Sequence, residues 1–175
     1  TEIGADGQTL YFSFLMKLNV HGFNALELHR VNSSDSNRAL YIGSSVNSNA
    51  THFFMDAKGS TAALAPINTT DTQLFVVKVE FGAGTTAGNE RITVWQNPTN
   101  LTGEGSNTPT AVLDNVPNFT FDRMHLAGFS SGSAYFDEIR FGNSWSAVTP
   151  HTTGGPMPPV APSGLGAVAQ SSSSI

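Results

Sequence analysis

Glu27 and His29 stand two residues apart in the stretch Ala25–Val31. On an extended strand, residues at i and i+2 point to the same side, so both groups share one face. They are the one pair whose types and spacing suggest acid–base work. Hydrolysis of a glycoside by the retaining route asks for more, namely two carboxylates about 5–5.5 Å apart. On one strand that reads Glu-x-Asp-x-Glu, or Glu-x-Asp-x-x-Glu with a bulge. Neither pattern occurs, and the adjacent Asp137 and Glu138 face opposite sides of any regular strand. The sequence is therefore expected not to be an enzyme. His21, His29, His52, His125 and His151 show no metal-ligand spacing, although His29 and His52 are candidates to meet across strands.

Binding asks for different residues. Flat sugar surfaces stack on aromatic rings, with amide and hydroxyl groups completing the hydrogen bonds. In Arg91–Gln96, Ile92 and Val94 share one side, and Arg91, Thr93 and Trp95 the other. With the first pair in a core, Trp95 and Arg91 stand on the outer surface of their sheet. Tyr11, Tyr41 and His52 are expected on outward faces as well. Trp95, Tyr41, Arg91 and His52 are thus the expected ligand-binding residues. The competing expectation for Trp95 is packing beneath a loop, and Trp145 is expected to pack the chain end against the domain.

These groups sit in a chain of 175 residues with net charge −5, in which only 12% are charged. Ser, Thr and Asn supply 51 residues, so the polar surface is largely hydroxyl and amide. Eight Lys and Arg cannot build the basic face that phosphate neutralisation needs, which argues against nucleic acid as partner. No apolar run is long enough for a membrane helix. The absence of Cys excludes disulfides and thiolate chemistry. Thr1–Gly4 does not read as a leader peptide, and the missing initiator Met reads as a piece of a longer chain.

The elements that must position the candidates are strands. Phe12, Phe14, Met16 and Leu18 alternate with Tyr11, Ser13, Leu15 and Lys17. Phe75, Val77, Val79 and Phe81 alternate in the same way within Gln73–Phe81. Ala25–Val31 and Arg38–Gly43 form a pair around a turn-rich stretch. Thr51–Ala57, Arg91–Gln96, Phe119–Phe129 and Ala134–Gly142 complete the set. No segment holds a helical period over ten residues. The expected fold is all-β, an antiparallel sandwich or jelly roll. The domain is expected over residues 1–150. A Pro-rich linker follows over 151–162, then a strand-like piece over 163–175.

The run Phe136-Asp137-Glu138-Ile139-Arg140-Phe141-Gly142, with Ser144-Trp145 and Val148-Thr149-Pro150, resembles the closing strand of concanavalin A-like, laminin-G-like jelly-roll domains of large secreted bacterial proteins. Gly7–Leu18, Leu74–Gly84 and Thr93–Pro98 fit the same pattern. The tail from Pro158 resembles the opening of a fibronectin type III domain. The resemblance implies a modular parent that is secreted or displayed at the cell surface, with neighbouring modules of one polypeptide as partners. It also implies lectin-like binding of a polysaccharide or glycan, with a structural or adhesion module as the alternative and a glycan-active hydrolase or lyase as the lesser one. In that alternative the orphan strand would assemble by addition to a neighbour's sheet. In laminarinase-like relatives the Asp of the similar strand helps hold a structural calcium. Here Asp137 shares parity with Ile139 and Phe141 and is expected to point inward, where a carboxylate needs a cation or donors. Ca2+ held by Asp137 and Asp6, with Glu2 and a Gly4 or Gly7 carbonyl, is one expectation. Pairing of Asp137 with backbone N–H groups, Arg140 or Arg123 is the other.

Overall fold

The computed structural model describes residues 2–31, 37–46, 49–129 and 132–150. The linker and the piece over 163–175 lie outside the described residues.

Ten strands form two five-stranded sheets in which the assigned strand pairs are antiparallel. The strands are β1 (Thr9–Val20), β2 (Phe23–His29), β3 (Arg38–Ser45), β4 (Asn49–Ala57), β5 (Ser60–Pro66), β6 (Gln73–Glu80), β7 (Glu90–Gln96), β8 (Ala111–Val116), β9 (Arg123–Phe129) and β10 (Ser133–Gly142). The first sheet runs β10-β1-β6-β7-β8 and the second β5-β4-β3-β2-β9. This is the β-sandwich that the period-two pattern predicts. The sequence reading missed β5 and β8. Their burial is shallow, so no strong apolar alternation marks them.

The sheets meet over one apolar core. Phe12, Phe14, Met16 and Leu18 enter it from β1, and Phe75, Val77 and Val79 from β6. Leu26 and Leu28 of β2, Leu40 and Ile42 of β3, and Phe53 and Met55 of β4 meet them from the other sheet. Phe14 stacks on Phe75 at 5.0 Å, and Phe53 meets the same ring edge-on at 5.3 Å. Burying side chains of this size contributes roughly 1.5–3 kcal/mol each before chain entropy is counted, so the core dominates the fold.

Each sheet also carries a small apolar cluster on its outer face. On the first it is Tyr11, Val76, Trp95, Trp145 and Val148. On the second it is Ala25, Tyr41 and Phe54, with Phe23 against them. Gly43 lets β2 and β3 close there, since a Cβ at that position would lie 2.0 Å from the Asn24 carbonyl oxygen. A short helix α1 (Trp145–Val148) follows β10 and holds the end of the domain against the first sheet.

One local feature redirects the closing strand. Ser13 pairs with Arg140 but Leu15 pairs with Asp137, so β10 carries one extra residue opposite β1. Glu138 sits there at φ 49, a left-handed conformation uncommon for a side chain of this type. The bulge lets Phe136 and Ile139 both pack on the core. It also corrects the expected parity: Asp137 points outward and is exposed, not inward with Ile139 and Phe141.

Candidate functional site

Two clusters on the outer faces hold the chemistry. The first is a groove along the edge of the first sheet. Lys17 pairs with Tyr135 and Leu15 with Asp137 across β1 and β10, so all four side chains project from one face. Thr72, just before β6, closes the far side. The groove so lined has a volume of about 310 Å³. Tyr135 is 68% exposed, which leaves its ring open to a flat apolar ligand surface. Asp137 Oδ1 accepts the Glu138 N–H at 2.8 Å. Among the described residues, Asp137 is the single carboxylate lining the groove.

All four residues expected to bind a ligand lie elsewhere. Trp95 is on the outer side of β7, as its parity predicts, but it is 3% exposed. Trp145 meets it edge-on at 5.1 Å, and Trp95 Nε1 donates to the Asn107 carbonyl. No ring face is left for a sugar, because α1 and the residues after β7 close over it. Trp145 packs the chain end as expected, with Nε1 donating to the Leu101 carbonyl at 3.0 Å. Tyr41 is on the outer face of the second sheet but 1% exposed. Arg38 lies 4.6 Å from its ring centroid, and Phe54 packs beside it. Arg91 is exposed and pairs with Asp114 at 3.3 Å. His52 shares the strand face of Phe54 and is half-buried, with Thr51 Oγ1 2.8 Å from its Nδ1.

The fold does not bring the expected calcium ligands Asp137 and Asp6 together. Asp137 opposes Leu15 along the open stretch of β1, whereas Asp6 packs its carboxyl against Gly82, before β1 begins. Glu2 pairs instead with Arg30 and Thr120, both at 2.9 Å, and the Arg30 hydrogen bond holds its carboxyl below the usual range. The bulge at Glu138 is the physical reason, since it turned the expected inward carboxylate to solvent.

The second cluster centres on Glu27, which is 3% exposed. His29 Nε2 lies 2.8 Å from its Oε2, and His125 Nδ1 lies 3.0 Å from the same oxygen. Arg38 Nη1 donates to Oε1 at 3.1 Å. The pairing of β2 with β9 sets His125 directly opposite Glu27. His29 therefore neighbours His125, at 5.8 Å between rings, and not His52. The Glu27–His29 pair was legible from spacing alone. His125 was not, because strand order is a long-range fact.

A third network fastens the cover of the first sheet. Tyr11 Oη donates to Glu104, and Lys78 Nζ lies 3.1 Å from Glu80 and 3.2 Å from Glu104. Burial pushes the Tyr11 phenol up to about 12, and the hydrogen bond to Glu104 adds to this. Burial opposes the Lys78 charge, but its bonds to Glu80 and Glu104 outweigh it and hold the ammonium above its ordinary range.

No protein-family profile matches this chain, and no curated protein matches it. Eight solved chains do. One is a double mutant of the alginate lyase Aly36B in complex with an alginate trisaccharide. It is 13% identical, with a TM-score of 0.41, over 80% of this chain and 72% of that one. A likeness at this level adds nothing to the two-sheet architecture already described.

Proposed function

We propose that this domain binds a neutral glycan, without cleaving it, in the groove lined by Leu15, Lys17, Thr72, Tyr135 and Asp137. The open ring of Tyr135 supports this reading most. Tyrosine offers an apolar body for the C–H face of a sugar and a hydroxyl that hydrogen-bonds at its rim. Lys17 supplies donors, Asp137 acceptors and Thr72 both, the group set that a polyhydroxylated ligand satisfies. The opposite charges of Lys17 and Asp137 leave the groove without net charge, which suits a ligand that carries none.

Binding is favoured over hydrolysis because the groove holds one carboxylate. Either glycosidase route needs a second one facing the scissile bond. The resemblance in the closing strand supports a secreted or cell-surface parent in which this domain carries other modules to their substrate. No catalytic residue is assigned.

Affinity electrophoresis through gels cast with a panel of plant, algal and bacterial polysaccharides tests the reading. The chain should be retarded in at least one neutral polysaccharide, and Tyr135→Ala should lose at least tenfold in affinity. Retardation that Tyr135→Ala leaves intact would move the site elsewhere. Release of reducing ends or unsaturated sugars from the same panel would replace binding with turnover.

A further inference from the structure

We propose that Glu27, His29 and His125 bind one divalent transition-metal ion of the Zn2+ or Co2+ kind on the outer face of the second sheet. One ligand atom from each of the three residues lies within 4.8 Å of the other two. His29 Nε2 and His125 Nδ1 lie 2.8 and 3.0 Å from Glu27 Oε2. Around an ion with ligands at about 2.1 Å, neighbouring ligand atoms stand roughly 3.0–3.4 Å apart. Those two contacts need to open by only a few tenths of an ångström to admit the ion, and the remaining edge closes to meet it.

The backbone holds the set in place. Glu27 and His29 come from alternate positions of β2, and His125 from the paired position of β9. Side chains locked by sheet pairing make a preorganised site. Glu27 and His29 are buried, so their geometry is fixed, whereas the His125 side chain is 45% exposed. An ion can enter from that side, and a water or ligand oxygen can occupy the position left open there.

Donor chemistry selects the ion. Two imidazoles and one carboxylate suit zinc, cobalt, nickel, copper or ferrous iron, whereas calcium and magnesium require mainly oxygen. Arg38 holds Glu27 Oε1 at 3.1 Å and so presents Oε2 to the metal, as outer partners of metal-bound carboxylates do. The same guanidinium offsets the carboxylate charge, so affinity rests on the imidazoles. A metal here would clamp β9, an edge strand, to β2.

The test uses the full chain, stripped with a chelator and dialysed. Titration with Co2+ at neutral pH should give one equivalent bound, with visible absorption bands of a nitrogen- and oxygen-ligated ion, and Zn2+ should displace it. His125→Ala, at a half-exposed position, should weaken binding at least tenfold. His125→Asp, which restores a ligand atom, should recover part of that loss. Thermal unfolding should shift upward with Zn2+ in wild type and not in His125→Ala. Absence of a stoichiometric ion in the stripped and reloaded wild type, or equal uptake by His125→Ala, would overturn the site. Glycan retention by Tyr135→Ala concerns the other sheet and is independent of this result.

Discussion

Along β1, two neighbouring stretches of the same strand face meet opposite fates. Tyr11 and Ser13 are buried outside the sandwich, beneath Trp145, Val148 and Trp95. Leu15 and Lys17, further along the same face, border the groove under Tyr135. The parity is identical and only the cover differs. Ser13 Oγ donates to the Val148 carbonyl and Arg140 Nη1 to that of Thr149, so residues 145–149 are fastened over one stretch, and none of them lines the groove at the other. An outward aromatic residue on a strand is therefore not yet a binding residue. What folds over it decides, and that is set by loops and not by alternation.

The sharpest way to break this contrast is to remove the cover. Trp145→Ala should cost about 3–5 kcal/mol of stability, as for other large buried aromatics, read by urea or thermal unfolding. A loss below 1 kcal/mol would mean that the cover is loosely held and that Trp95 is accessible after all. On the open stretch the order reverses, with function lost and stability kept. Lys17→Ala and Asp137→Ala should each reduce glycan affinity several-fold while changing unfolding free energy by less than about 0.5 kcal/mol, as usual for exposed positions.

The network beneath the cover predicts an alkaline weakness. Above about pH 10 the unfolded Tyr11 phenol gives up its proton, but the folded one keeps it until about 12. The unfolded state then binds fewer protons, so stability present below pH 10 is lost as the pH rises through that window. Lys78, also raised, acts with the same sign. Tyr11→Phe should flatten the dependence, and unchanged melting temperatures between pH 9 and 11.5 in wild type would contradict the coupling.

Glu90 gives a smaller effect near the opposite end of the pH scale. Burial pushes its carboxyl up, while the Gly82 and Phe119 N–H groups pull it down and Asp6 adds to the rise. Its folded value stays above the unfolded 4.5, so its contribution is greatest in acid and falls as the pH rises past 4.5. Glu90→Gln should reduce that slope and cost about 1–3 kcal/mol at neutral pH, because its single amide oxygen cannot accept from both backbone N–H groups. The smallest change belongs to Arg91→Ala. Its exposed pairing with Asp114 should be worth less than about 0.5 kcal/mol, and its loss should leave glycan retention unaltered.

The strands and their buried sides were legible because period two survives in β1, β2, β6 and β7, each with one face packed in the core. Trp95 on the outer face and Trp145 at the chain end also followed from spacing. The open groove did not. Ala134 and Phe136 are out of phase by one residue with Ile139 and Phe141, and that slip marks the bulge at Glu138. A strictly regular strand puts Asp137 and Tyr135 on the core side; counting the slip puts both outside. The Glu27 cluster was half legible, since β2 holds Glu27 and His29 two positions apart. His125 joins them through the pairing of β2 with β9, between segments far apart in the chain, which no local pattern records.

Amide chemical-shift mapping during titration with a retained oligosaccharide reads the location of binding most directly. The largest perturbations should fall at residues 15–17, 72 and 133–138, with little change at residues 95, 107 and 145. Perturbations centred on β3 and β4 of the second sheet, with the β10 edge silent, would contradict binding in the groove.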